Sequence, residues 1–255
     1  MSGVSLDVAG TRIVVQVDRS TDRLEERYGA FATQAGTADW TFALRAGPPT
    51  LGRLTGRAVR RGGVVVVEGA EAMGSLDPVS RRAEVVADPS LVAVDGLLRA
   101  AVTLDVLGRG GCLFHAAATV VDGRAHLFPG RSGSGKSTLA SLARLALSDE
   151  VCAVVPGPEG LRVHGTPWWT GRPGSAPLAG VYALAWHAEG LAPLPRKTAL
   201  RHLVANLTLG LDEPATRRAA FAAAGRVAAA VPFRRISFTP SSDVDALLRR
   251  PRRAA

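Results

Sequence analysis

Residues 130–138 have the spacing of a phosphate-binding loop, with two fixed glycines followed by a lysine and a serine. They are Gly130, Arg131, Ser132, Gly133, Ser134, Gly135, Lys136, Ser137 and Thr138. The segment fits G-x-x-x-x-G-K-[ST], the Walker A pattern, at every fixed position. Backbone N–H groups of such a loop point at phosphate oxygens, its lysine reaches the β- and γ-phosphates, and the next hydroxyl ligates Mg²⁺. We therefore predict that this segment binds a nucleotide.

The lysine at position 136 is unusual for this chain. Of 31 lysines and arginines, only Lys136 and Lys197 are lysines. A compact ammonium fits among phosphates where a guanidinium fork is bulkier. The residue type therefore favours phosphate binding over a plain glycine turn.

Three polar features near this segment could supply chemistry. The acidic pair, Asp149 and Glu150, follows it. One carboxylate could hold Mg²⁺ while the other accepts a proton from a substrate hydroxyl. Acids are also common in turns, so a plain turn is the alternative explanation. His115 precedes it and interrupts an apolar run. A lone histidine of this kind is more often a hydrogen-bonded core residue than a catalyst, but its strand lies beside the one that enters the loop, which favours a role in the site. Residues 164–169 form a turn with two tryptophans, suited to gripping a ligand or to ordinary loop packing.

The elements around the segment are predicted from local patterns. Residues 124–128 are an apolar strand that enters it, and residues 137–144 are a helix that leaves it. Asp122-Gly123 between two apolar runs is a strong hairpin signal. This hairpin places the incoming strand next to the strand that follows His115.

The chain divides by composition into two predicted domains. Residues 1–88 hold short strand patterns, at 11–17, 40–44, 63–68 and 82–87, separated by Gly, Pro and Asp, which predicts an antiparallel, β-rich N-terminal lobe. Residues 89–255 mix strands with helical patterns, including a helix over 91–107 that starts at Asp88-Pro89-Ser90. We expect an α/β fold for this second part.

Bulk properties limit the classes of function. The 255 residues are 47% hydrophobic and 21% charged, as in a globular protein, and the net charge is +9. Aromatic residues are only 5%, so a platform for stacking single-stranded nucleic acid is poorly supplied and nucleic-acid binding is disfavoured. Two cysteines, no signal-peptide pattern and no membrane-length apolar run lead us to expect a soluble, cytoplasmic protein without a membrane partner.

The order of these features resembles the catalytic domain of the HPr kinase/phosphorylase family, which has a phosphoenolpyruvate-carboxykinase-like P-loop fold. His115, the Asp122-Gly123 hairpin, residues 130–137 and the acidic pair follow one another as in that family, over roughly residues 97–170. Thr166-Pro167-Trp168 and residues 176–181 are similar to small HPr-kinase-related proteins of bacterial peptide-modification clusters. Two differences are Glu150 in place of a second aspartate, and a helix between Lys136 and Asp149 about one turn shorter.

The resemblance implies a P-loop kinase core with ATP and Mg²⁺ as cofactors. Lys136 would hold the transferred phosphate, Ser137 and Glu150 would bind the metal, and Asp149, assisted by His115, would be the base on a substrate hydroxyl. The implied reaction is transfer of the γ-phosphate to a hydroxyl of a peptide or small protein. No signature of the family's reverse reaction is present, so we expect a kinase without phosphorylase activity.

Other interpretations stay open from the sequence. A small-molecule kinase on the same scaffold would use the same residues, and a nucleotide-binding ATPase switch would use a water in place of the acceptor hydroxyl. A nucleic-acid-binding protein is supported by charge alone. The oligomeric state is also open, with a homo-oligomer among the outcomes.

Overall fold

The computed structural model describes residues 2–18, 21–46, 57–68, 72–87, 91–186 and 188–249. Contacts divide the chain into two compact units, Met1–Arg109 with Leu209–Ala219, and Gly110–Thr208 with Ala220–Ala255. The division predicted at residue 88 lies within the first unit. The predicted helix start at residues 88–90 and the basic tail beyond Arg249 lie outside the described residues.

The first unit is built on a seven-stranded sheet with strand order β1-β2-β3-β7-β6-β5-β4. Its elements are β1 (Ser2–Val8), β2 (Thr11–Val17), α1 (Asp22–Tyr28), β3 (Trp40–Ala46), β4 (Arg57–Arg61), β5 (Val64–Glu68), β6 (Ala72–Asp77), β7 (Arg82–Ala87) and α2 (Val92–Gly108). Buried and exposed residues alternate along β2, so one face of this strand lies in the core.

The sheet of the first unit is mixed, so the antiparallel prediction for residues 1–88 was wrong. β3 runs parallel to both β2 and β7. Parallel neighbours need a crossover connection, and the segment that holds α1 supplies one between β2 and β3. Residues 1–88 were expected to hold strands and turns, so α1 and the crossover were not predicted.

The second unit contains a nine-stranded mixed sheet. Its main path is β10-β8-β11-β12-β13-β16-β14, with β15 on β8 and with β9 on both β8 and β13. The elements are β8 (Cys112–Val121), β9 (Arg124–Pro129), α3 (Lys136–Leu142), β10 (Ala146–Ser148), β11 (Val151–Gly157), β12 (Gly160–Gly165), β13 (Ser175–Trp186), β14 (Gly190–Pro193), α4 (Arg196–Val204), β15 (Leu207–Thr208), α5 (Pro214–Ala230), β16 (Phe233–Phe238) and α6 (Val244–Arg249). The part of α5 before Ala220 belongs to the first unit.

The predicted hairpin between β8 and β9 is confirmed. Val121 pairs with Arg124, and Asp122 and Gly123 have φ angles of 50° and 73°. Positive φ at both central residues is the geometry of the type I′ turn, which Asp-Gly favours. The patterns of residues 151–155 and 161–164 predict a second strand pair, and β11 and β12 confirm it.

Three neighbouring strands of the second unit are parallel, so their carboxyl ends share one edge. β13 runs parallel to β9 and to β16, and the three strands end at Pro129, Trp186 and Phe238. Below this edge, Phe128, Leu139 and residues of α6 pack in one apolar cluster. In open α/β sheets, ligands bind outside the carboxyl ends of the strands. A ligand-binding site is therefore expected at this edge.

The helices of both units are short. The two longest, α2 and α5, have 17 residues each. Within the described residues, no helix is both long and apolar enough to cross a bilayer.

The strand that enters the glycine-rich segment carries a buried histidine, which makes stability depend on pH. His126 Nδ1 lies 3.0 Å from the hydroxyl of Tyr182. Burial, followed by the charge of Arg124, lowers the pKa of His126 from 6.5 to about 4. Between these values the unfolded chain binds a proton that the folded chain excludes. The free energy of unfolding should therefore fall by about 3 kcal/mol as the pH falls from about 6.5 to about 4.

Urea unfolding at several pH values would measure this dependence in the wild type and in His126→Gln. The variant lacks the titrating ring, so the difference in unfolding free energy between the two proteins should change across this pH window. A constant difference from pH 7 to pH 4 would contradict the assignment.

Candidate functional site

The glycine loop, residues 130–135, connects the carboxyl end of β9 directly to the first residue of α3. Gly133 and Gly135 have φ angles of 77° and 98°, a region that glycine enters without steric cost. A Cβ added at Gly130 would lie 2.4 Å from Ser134 Oγ. The backbone of the loop therefore favours glycine at positions 133 and 135, and Gly130 leaves room for the side chain of Ser134. The predicted strand–loop–helix arrangement is present.

Lys136 is held inside this loop. Its ammonium donates to the carbonyl oxygens of Gly130 and Arg131, at 3.0 and 3.1 Å. The residue is only 4% exposed. Burial lowers the pKa of Lys136, and the negative charges of Glu150 and Asp149 oppose that shift. The acidic pair therefore acts electrostatically on the ammonium of the loop.

Strand β8 holds both the glycine loop and the acidic pair. The N–H of Gly130 donates to the carbonyl of His115 at 3.1 Å, and the N–H of Ala116 donates to the carbonyl of Glu150 at 2.9 Å. Successive residues of a strand present their backbone groups to opposite edges. The loop and the acids are therefore fixed to the two edges of one strand, at adjacent residues.

The short helix after Lys136 does not prevent this arrangement. α3 has seven residues, and the chain then returns along β8 as β10 and β11. Ser148 pairs with Ala118 and Val151 pairs with His115, so the acidic pair lies between these two pairings. Register with β8, rather than the length of α3, fixes the position of the acids.

The histidine predicted to assist Asp149 contacts the other acid. His115 Nε2 lies 3.0 Å from Glu150 Oε1. The ring N–H is not aligned as in a hydrogen bond, so this contact is an ion pair only when the ring is protonated. The hydroxyl of Thr170 donates instead to Asp149 Oδ1. The two acids thus have different neighbours.

The turn with two tryptophans positions Thr170. A Cβ at Gly165 would lie 1.9 Å from the carbonyl oxygen of Arg172, and one at Gly171 would lie 1.6 Å from that of Thr166. Only glycine permits such close backbone approaches. Trp168 is buried in this turn, whereas Trp169 is 70% exposed. The buried Trp168 and the close backbone contacts therefore place the Thr170 hydroxyl against Asp149 Oδ1.

A pocket of about 510 Å³ opens beside the glycine loop. Its lining residues are Pro129, Gly130, Arg131, Ser134, Leu184, Thr198, Arg201, His202, Ala205 and Asn206. Four come from the end of β9 and the loop, one from β13, and the others from α4 and the two residues after it. The volume is in the range of pockets that bind small molecules.

The α4 side of the pocket is fastened to the strands that carry the loop. His202 Nε2 donates to the carbonyl of Pro129 at 2.7 Å, and the carbonyl of Asn206 accepts from the N–H of His115 at 2.8 Å. Burial lowers the pKa of His202, which favours the neutral ring. His202 and Asn206 could not be found from the sequence, because no local motif marks a helix that contacts strands far away along the chain.

The loop residues fit a bound phosphate. Ser134 Oγ is buried without a hydrogen-bond partner among the described residues. A buried hydroxyl without a partner is costly, so a ligand oxygen would satisfy it. Ser137, the predicted metal ligand, is exposed. The described residues contain no cluster of three or more His, Cys, Asp or Glu side chains able to hold a metal ion. Mg²⁺ in nucleotide sites usually takes one or two protein ligands together with phosphate oxygens.

No protein-family model matches this chain, and a search of curated proteins finds no match. The resemblance to the HPr kinase family stays a prediction. It rests on the order of His115, the hairpin, the glycine loop and the acidic pair along the chain.

Proposed function

We propose that this chain is an ATP-dependent phosphotransferase with a P-loop kinase core of the HPr kinase C-terminal-domain type, which transfers the γ-phosphate to a hydroxyl. The observation that carries the proposal is the attachment of the glycine loop and the acidic pair to adjacent residues of β8, which brings both carboxylates near Lys136. A loop lysine that holds a terminal phosphate would bring the reacting group next to two carboxylates. Proton acceptance and metal binding are the two tasks that such a reaction requires.

In the proposed step, the acceptor oxygen bonds to the γ-phosphorus as the bond from that phosphorus to the bridging oxygen breaks. ADP leaves, and the acceptor proton goes to the carboxylate of Asp149. The Thr170 hydroxyl orients that carboxylate by donating to Oδ1. Lys136 balances the charge of the transferred group, and its bonds to two loop carbonyls pre-orient it.

Ser137 and Glu150 would hold Mg²⁺ beside the phosphates. The metal would neutralise charge on the phosphate oxygens when bound. His115, 3.0 Å from Glu150, would then position this metal ligand. Cys112 and Cys152 are free, buried thiols, in keeping with the cytoplasm as the proposed place of action.

For the acceptor we favour a peptide or small protein, as the resemblance to peptide-modification proteins implies. The pocket of about 510 Å³ would favour a small-molecule acceptor if it bound one. An ATPase switch would hydrolyse ATP at a rate that no acceptor changes.

Labelled ATP separates these functions. The purified chain, with Mg²⁺ and γ-labelled ATP, would be offered a serine- and threonine-containing peptide library and, separately, a set of hydroxylated metabolites. Transfer of label to a peptide supports the proposal, and transfer only to a metabolite supports the small-molecule kinase. Release of inorganic phosphate alone, with both sets present, would contradict the kinase proposal and favour the switch.

A further inference from the structure

The pocket beside the glycine loop and the acidic pair are separate places next to the same loop. Pro129 at the end of β9 and Leu184 of β13, the strand parallel to β9, line the pocket on one side. Residues of α4 line it on the other side. Asp149 and Glu150 are not among the residues that line it.

We infer that this pocket binds the base and ribose of the nucleotide. The inference rests on the proposed function, because it takes the terminal phosphate to lie at Lys136, whose loop is attached to β8 at the residue next to the one that holds Glu150. The acids do not line the pocket, so a nucleotide whose terminal phosphate faces them leaves its nucleoside end to the pocket. Gly130, Arg131 and Ser134 line the pocket as well as the loop, so the two sites are continuous.

The walls of the pocket suit a nucleoside. Pro129, Leu184 and Ala205 offer apolar surface, while Thr198 and Asn206 offer polar groups. A ligand pocket typically combines such apolar walls with a few polar groups that fix orientation. About 510 Å³ is ample for a base and ribose and too small for a folded protein acceptor.

Two arginines of the pocket are free to contact this ligand. Among the described residues, neither Arg131 nor Arg201 has a hydrogen-bond or ion-pair partner for its guanidinium group. A guanidinium plane stacks on aromatic rings and also pairs with phosphate. Arg201 lies on α4, and we assign it to the face of the base. Arg131 lies on the loop, close to the phosphates.

The test fills the pocket and compares two ligands. Ala205 is exposed and lines the pocket, so Ala205→Trp adds bulk there without crowding the core. Leu200→Trp is the matched control, because Leu200 is an exposed residue of α4, the helix that Ala205 follows, and it does not line the pocket. The ligands are Mg·ATP and Mg·tripolyphosphate, with affinity measured by titration calorimetry on the full chain.

We expect the wild type to bind ATP at least about tenfold more tightly than tripolyphosphate, a difference of about 1.4 kcal/mol. Ala205→Trp should lower the affinity for ATP to near that for tripolyphosphate and leave the latter unchanged. Leu200→Trp should change neither affinity. GTP and CTP, added as further ligands, would show which base the pocket prefers.

Three results would overturn the inference. Equal affinities of the wild type for ATP and tripolyphosphate would mean that no nucleoside site exists. Unchanged ATP binding by Ala205→Trp would give the pocket to another ligand, such as the acceptor. An equal loss for both ligands would place phosphates, rather than the nucleoside, in the pocket. Binding of neither ligand by the wild type would instead contradict nucleotide binding at the loop, and with it the proposed function.

Discussion

Lys136→Met is expected to lower the rate of phosphate transfer by about 10²–10³, the usual cost of removing one fixed group that stabilises transition-state charge. The substitution also removes the positive charge that the two loop carbonyls hold and on which the acidic pair acts. Two carbonyls then lose their donor, and the carboxylates repel the phosphates of ATP without a counter-charge. The measurement is label transfer from γ-labelled ATP, together with the Kd for Mg·ATP.

The chain supplies a matched control for this substitution. Lys197 is the other lysine, and it is exposed on α4. Lys197→Met makes the same chemical change and should leave transfer and binding within about twofold, as for an ordinary surface position. Because Lys136 is buried, thermal unfolding should accompany the assay, and Lys136→Arg gives a second variant that keeps the charge. A folded Lys136→Met protein with wild-type transfer would rule out the role of this lysine.

Asp149→Asn should lower kcat by about 10²–10⁴, the range for loss of a general base, while the affinity for Mg·ATP changes by no more than a few-fold. Asparagine keeps an oxygen that can accept from Thr170, so the loop conformation should persist. What the variant loses is the ability to take the proton of the acceptor. The measurement is single-turnover transfer to the acceptor identified by the labelling experiment.

Two comparisons make this result specific. Glu159→Gln removes a carboxylate from the exposed turn at the other end of β11 and should leave kcat unchanged. Thr170→Val removes the donor to Asp149 and should lower kcat less than Asp149→Asn does, because the base remains. If Asp149→Asn retained its kcat while Glu150→Gln lost activity, Glu150, the neighbour of His115, would be the base instead.

The parts of the site that are local in sequence could be predicted from sequence. The glycine loop, the helix that begins at Lys136 and the hairpin at Asp122-Gly123 follow from residue types over short stretches. Glycine conformation and turn chemistry decide them without help from the rest of the fold. The structure has the loop and the hairpin where the patterns indicated, and the helix, predicted over residues 137–144, spans Lys136–Leu142.

The contacts between side chains could not be predicted in this way. Which acid meets His115 depends on the register of β11 on β8, and a shift of one residue would turn the other side chain toward it. Thr170 reaches Asp149 only because Gly165 and Gly171 allow the backbone to close upon itself. The α4 side of the pocket depends on His202 meeting a carbonyl of a strand far away in sequence.

The first unit shows the same limit at the level of topology. The strand patterns of residues 11–17, 40–44 and 82–87 correctly marked β2, β3 and β7. They carried no information on strand direction, which for β2 and β3 depends on the crossover that holds α1. Alternation within a strand reports which face is buried, and it does not report the neighbour or its direction.

The attachment of Gly130 and Glu150 to adjacent residues of β8 has a consequence for tracing relatives of this chain. Because the loop and the acidic pair are both hydrogen-bonded to β8, the chain between them can gain or lose a helical turn while the loop and the acids keep their positions. A pattern that counts residues from the loop lysine to the acids would reject chains assembled in this way. A comparison that aligns the histidine strand first, and lets the intervening length vary, would retain them.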